Sequence, residues 1–175
     1  MSAPTSTPGE QFSFSLDLPV RNEWRNVELL RTSVENCFQA VFADLDGKTA
    51  ISMVTGELLE NALKYGSWTS TDRTMFRLRV TGSGGDIEIS VQNPLRGDDP
   101  HAANLTKAVD WINSFPKPEA AYRARLLQIA QEDAEGSPSR LGLVRIAHEG
   151  NCRLALGIDN GIVTVTATLN LDGKS

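Results

Sequence analysis

Two stretches of alternating apolar residues, each punctuated by glycine, do most to limit the folds open to this chain. Phe76, Leu78 and Val80 alternate with polar residues, Gly82-Ser83-Gly84-Gly85 follows, and Ile87, Ile89 and Val91 then alternate again. Cys152, Leu154, Leu156 and Ile158 run in the same way through Asp159-Asn160-Gly161 into a second alternating run over 162–169. A period of two places one side of each run on an apolar face. Gly-Gly and Asn-Gly supply the positive φ that tight hairpin turns require. Two hairpins with one apolar face each need something to cover that face, and the segments between them have helical spacing.

The remaining elements follow from the same reading. Phe12, Phe14, Leu16, Leu18 and Val20 alternate and predict a half-buried strand. From Glu23 to about residue 44, Val27, Leu30, Val34, Cys37, Phe38 and Val41 recur at helical spacing. Asp46-Gly47-Lys48 separates this helix from a second that stops at Gly66, read here as a left-handed cap. A helical region over 102–149 is broken near Pro116–Pro118 and again at Gly136-Ser137-Pro138. The order strand, helix, helix, hairpin, helices, hairpin predicts an α+β fold, a mixed β-sheet with helices layered on one face. Residues 1–10 read as a disordered start, and 11–171 as a single domain with no internal repeat.

Composition narrows the function classes. A chain of 175 residues can bury about two-thirds of its unfolded surface in one core. The net charge of −5, with no basic block, argues against nucleic acid as a partner. The first ten residues lack the positive start and apolar centre of a signal peptide. No apolar run approaches the roughly 18 residues of a membrane span, so a cytoplasmic location without membrane contact is expected. The only cysteines, Cys37 and Cys152, sit in apolar settings and read as buried thiols of a reducing compartment. His101 and His148 are far apart and no CxxC or HxxxH occurs, so no zinc site is expected.

Candidate chemistry concentrates in 51–66, ISMVTGELLENALKYG. Glu57, Asn61 and Lys64 fall at i, i+4 and i+7, nearly in a row beside the apolar row Ile51, Val54, Leu58 and Ala62. A polar stripe next to a buried one suits the lip of a cavity. A carboxylate, a carboxamide and an ammonium there could activate a nucleophile, hold a metal ion and meet a phosphate. The same spacing also fits an ordinary amphipathic helix carrying a Glu60–Lys64 pair.

The run Glu57-Leu58-Leu59-Glu60-Asn61-Ala62-Leu63-Lys64-Tyr65-Gly66 resembles the N-box of the GHKL superfamily of histidine kinase-like ATPases. The resemblance implies a general base at Glu57 and an Asn61 that coordinates Mg²⁺ bridging the nucleotide phosphates. It places Lys64 and Tyr65 toward phosphate and adenine. Two further boxes match in part. Where that superfamily carries DxGxG, this chain has Asn93-Pro94-Leu95-Arg96-Gly97, with Asn93 in the place of the adenine-binding Asp and Leu95 in the place of a glycine. Asn still offers a carbonyl acceptor, whereas Leu95 adds bulk where close backbone approach is usual. A strand end turned by Asn-Pro explains the same residues. Where the superfamily carries GxGLGL, Pro138-Ser139-Arg140-Leu141-Gly142-Leu143 keeps the second half. The helix start there suits a phosphate, and Arg140 would pair with phosphates directly or with Glu57. A loop and helix cap is the alternative.

The overall layout is most similar to the small single-domain bacterial regulators of that superfamily, the anti-sigma-factor kinases and the SiaB-type protein kinases. The similarity implies a cytoplasmic signal-transduction regulator that binds ATP·Mg²⁺ through Asn61, Lys64, Tyr65, Asn93, Arg140, Leu141 and Gly142. Its implied reaction is phosphorylation of Ser or Thr on a small STAS-type partner protein with Glu57 as base. A lid over 98–135 carrying Arg123 and Arg125, and a homodimer using the strand Phe12–Val20 as an edge, belong to the same expectation. In the alternative reading of 98–135, Tyr122, Leu126 and Ile129 form an apolar helix face with a solvated basic margin. Two other functional readings stand beside the kinase: a degenerate pseudokinase that binds its partner without ATP, and an unrelated α+β scaffold domain.

Overall fold

The computed structural model describes residues 11–18, 25–41, 48–66, 76–83, 85–95, 100–131 and 141–170. Strand β1 (Phe12–Leu18) precedes helices α1 (Arg25–Val41) and α2 (Lys48–Tyr65). The hairpin β2 (Phe76–Ser83) and β3 (Asp86–Pro94) follows. Then come α3 (Pro100–Asn113), α4 (Pro118–Gln131) and α5 (Leu141–Glu149), and the hairpin β4 (Cys152–Asp159) and β5 (Ile162–Asn170) closes the order.

The five strands form one sheet in the order β1-β2-β3-β5-β4. Every pairing is antiparallel, where the sequence suggested a mixed sheet. The reason lies in how the crossover returns the second hairpin. Both hairpins are tight, with Ser83 opposite Asp86 and Asp159 opposite Ile162, and the long helical crossover returns the second hairpin so that β5, not β4, lies against β3. Gly85 has φ 88°, and Asn160 and Gly161 have φ 48° and 75°, the positive pair that a tight Asn-Gly hairpin turn requires.

Register puts the apolar residues on one face. Leu78 pairs with Val91, Ile89 with Ala167 and Leu154 with Ala167 from the other side. Phe76, Leu78, Val80, Ile89 and Ala167 are fully buried. The opposite face carries Arg77, Arg79, Glu88, Arg153 and Thr168, all exposed. The helices therefore cover one face, as expected for this α+β layout. Helix α2 packs on β3, on α5 and on α1, which explains why Ile51, Val54, Leu58, Leu59 and Ala62 are all buried.

Several expectations are corrected. Gly66 does not adopt a left-handed cap. Its N–H donates to the Ala62 carbonyl at 2.8 Å and simply continues the helical bonding, while positive φ among the described glycines is confined to Gly85 and Gly161. Cys37 is half-buried, and Cys152 alone is fully buried. The expected lid is not overturned: its described part, 100–131, consists of two packed helices, with Val109 and Ile112 of α3 in the core. On α4 the apolar face is not the one expected. Ala121 and Arg125, one turn apart, face inward, while Leu126 (43% exposed), Leu127 and Ile129 face outward and Tyr122 is half-buried. The small Ala121 is fully buried where α4 packs on α5, and Arg125 Nη1 donates to Gln128 Oε1 at 3.1 Å. Val20, residues 1–10 and the second break at 136–138 lie outside the described residues.

Candidate functional site

The carboxy-terminal half of α2 and the start of α5 form a seam. Glu57 and Asn61 lie one turn apart on α2, and Gly142 and Arg145 lie one turn apart on α5. The first rung brings Gly142 against Asn61: a Cβ at Gly142 would sit 3.6 Å from both atoms of the Asn61 carboxamide. In the second rung Arg145 Nη1 donates to Glu57 Oε1 at 3.3 Å. Arg145 Nε donates to Glu149 Oε1 at 2.7 Å. The bonded Glu149 carboxylate, with Glu57 adding its charge, holds the Arg145 guanidinium above its ordinary value.

Beside the first rung opens a cavity of about 220 Å³. One water takes about 30 Å³ of the liquid, so the space suits a small organic group better than a lone solvent molecule. Leu58 and Ala62 of α2, Val91 of β3 and Val165 of β5 give it an apolar floor. Its polar groups are Asn61, Asn93, Asn104 and His101, with Tyr65 at the margin. This is the composition of a small-molecule site: mostly apolar, with a few placed polar groups. Tyr65 stacks on His101 with ring centroids 4.4 Å apart and planes 24° apart, which ties α2 to α3 along one wall. Among the described residues the cavity lining has no lysine or arginine.

The Asn61 amide is the informative atom. Its Nδ2 is buried and has no hydrogen-bond partner within the protein. A buried amide left so costs about 1–3 kcal/mol, and a water or a ligand group is what satisfies such an atom. Asn93 is 4% exposed, and its Nδ2 donates to the Pro94 carbonyl at 3.3 Å. Leu95 is nearly buried, and its N–H donates to the Gly161 carbonyl at 2.7 Å. The end of β3 is thus tied by its backbone to the β4–β5 turn, and the Leu95 side chain packs with the core there.

Of the residues expected at the site, Asn61, Tyr65, Asn93 and Gly142 line one cavity. Glu57 lies one turn away, held by Arg145. Leu141 opens α5 next to Gly142. Lys64 is exposed and stands apart, its Nζ 5.1 Å from the Tyr65 ring centroid. Arg140 lies outside the described residues, and the pairing with Glu57 suggested for it is made by Arg145. The lid expected over 98–135 contains α3, but none of its cavity-lining residues was singled out for the site. His101, Asn104 and Leu105 fall at i, i+3 and i+4 on that helix, a face legible only once α3 is known to pack beside α2. Among the described residues no three His, Cys, Asp or Glu side chains gather to hold a metal ion. No described helix is long and apolar enough to cross a membrane.

No protein-family model matches the chain, and no curated protein matches it in sequence. Its fold is similar to that of a chain in the crystal structure of the SiaB–SiaC complex from Pseudomonas aeruginosa. The TM-score is 0.64 at 17% identity, covering 89% of this chain and 88% of the other. At that identity the likeness is one of fold, and it spans nearly the whole of both chains.

Proposed function

We propose that the chain is a kinase-like switch regulator that binds ATP·Mg²⁺ in the α2–α3–α5 cavity and phosphorylates a Ser or Thr on a small STAS-type partner protein. The observation that carries this reading is the buried Asn61 amide without a protein partner, set between a cavity and the first turn of α5. Likeness in fold to a chain of the SiaB–SiaC complex supports the partner-binding half.

The residues fit such a ligand. The apolar floor and the Asn93 carboxamide suit a nucleobase, with Tyr65 and His101 along one wall. Asn61 Oδ1 would hold Mg²⁺ and its Nδ2 would meet a phosphate oxygen, and the first turn of α5, whose Gly142 lies against Asn61, would offer backbone N–H groups to the phosphates. The metal ion would neutralise charge on the phosphates. Glu57 would take the proton from the attacking Ser or Thr hydroxyl as its oxygen forms the new bond to phosphorus and ADP departs with the electron pair of the broken bond. The protein's contribution is positioning and electrostatics, as is usual in phosphoryl transfer.

A second reading is favoured by one observation. Asn93 replaces the carboxylate of the resemblance, and Leu95 is bound into the β4–β5 turn, so the adenine side of the site is altered. In that reading the chain is a partner-binding module without ATP. Calorimetry with ATP, with and without Mg²⁺, separates the two. The kinase reading predicts Mg²⁺-dependent binding in the micromolar range. Asn61→Ala should abolish it while leaving thermal stability unchanged or slightly raised, because the substitution removes a buried group without a partner. Absence of binding to wild type at millimolar ATP would leave the partner-binding module as the function.

A further inference from the structure

The two arms of Arg145 are unequal. Its Nε lies 2.7 Å from Glu149, an ideal charge-assisted bond, whereas Nη1 reaches Glu57 at 3.3 Å. Arg145 is thus anchored one turn down its own helix and holds the α2 carboxylate by the looser contact. The Arg145 side chain is 45% exposed and that of Glu57 20%, so parting them leaves the arginine solvated and the mostly covered carboxylate free to accept a proton. Glu57, which Nη1 contacts, lies one turn from Asn61 of the cavity lining, and this sets the Arg145 contact beside the cavity. Among the described residues the cavity lining holds no cation, and Lys64 is turned onto Tyr65. The charged and titratable groups around the contact are Glu57 on α2, Glu149 on α5 and Tyr122 on α4.

We propose that Arg145 is a positioning residue that exchanges Glu57 for the terminal phosphate of the bound nucleotide, so that arrival of this phosphate releases the base for proton transfer. The inference rests on the nucleotide reading above and deepens it. Arg145 keeps its anchor on Glu149 throughout, and only the short reach of Nη1 changes partner. The seam then couples two events: the anion that must be present for the reaction displaces the carboxylate that must act in it.

The test compares Mg²⁺-ATP and Mg²⁺-ADP by calorimetry on wild type, Arg145→Met and Arg145→Lys, since only ATP carries the terminal phosphate. Wild type should prefer ATP. Arg145→Met should weaken ATP by about tenfold or more and ADP by less than about twofold, the loss of one charge-assisted phosphate contact. Arg145→Lys keeps the charge without the fork and should retain part of the preference. A merely structural Arg145 would weaken both nucleotides alike, and that result, or an ATP affinity untouched in Arg145→Met, overturns the inference while leaving the nucleotide site intact. Failure of wild type to bind either nucleotide overturns the proposed function and this inference with it.

Discussion

At the scale of single residues, burial sets the chemistry of the two cysteines apart. Cys152 is 3% exposed, and its Sγ faces the Ile146 carbonyl at 3.4 Å. Burial pushes its thiol from an ordinary 9.0 up to about 12, because the thiolate cannot be solvated there. Between those values the unfolded chain has lost its proton and the folded chain has kept it. The contribution to stability is therefore full below pH 9.0 and falls as pH rises toward about 12. Two observations check this: denaturant midpoints that decline across that window in wild type but less in Cys152→Ala, and a thiol reagent that titrates Cys37 in the native protein and reaches Cys152 only after unfolding. Rapid native reaction at both thiols would contradict the packing described. The sequence placed both cysteines in apolar settings. It could not tell them apart, because Cys37 lies on the outer helix α1 and Cys152 begins a strand under α5, a difference of layer and not of local pattern.

At the scale of elements, the α2–α5 seam is the structural unit behind the site, and its far end is held by Gly150. A Cβ there would meet Val54 Cγ2 at 2.5 Å and the Ile146 carbonyl oxygen at 2.7 Å. The carbonyl belongs to the helix backbone and cannot turn aside, so Gly150→Ala should destabilise the fold by about 1–3 kcal/mol, read as a lowered melting temperature. An unchanged melting temperature would mean that α5 sits further from α2 than described. Glu57 and Asn61 were legible as a stripe because both lie on one helix at i and i+4. Their counterparts Gly142 and Arg145 were not legible as partners, since contact across more than eighty residues depends on where the crossover returns α5. The same limit explains α4. Its apolar residues suggested a buried face at Tyr122, Leu126 and Ile129, but the helix turns Ala121 and Arg125 inward, and no period in the sequence distinguishes the two faces.

At the scale of the whole molecule, the two hairpin turns and the alternating runs were enough to place the apolar face of the sheet and the layering of helices on it. They were not enough to make the sheet antiparallel throughout, because strand order across a crossover is set by packing and not by the strands' own sequence. Strand β1 lies at one edge of the sheet, beside β2, and its Asp17 pairs with Arg77 at 2.7 Å across the open face. That edge position meets the condition for the pairing role expected of it, and a homodimer through it is a proposal alongside the partner complex. The polar open face and the cavity lie on opposite sides of the sheet, so a partner whose hydroxyl meets Glu57 would dock on the helix-covered side. Nucleotide in the cavity against Asn61 would be seen by following side-chain amide resonances during a titration with Mg²⁺-ATP. The Asn61 and Asn93 carboxamide signals should shift together and saturably, and Asn61→Ala should abolish the Asn93 response. Saturable shifts confined to residues away from the α2–α3–α5 cavity, or no shift at millimolar ligand, would contradict it.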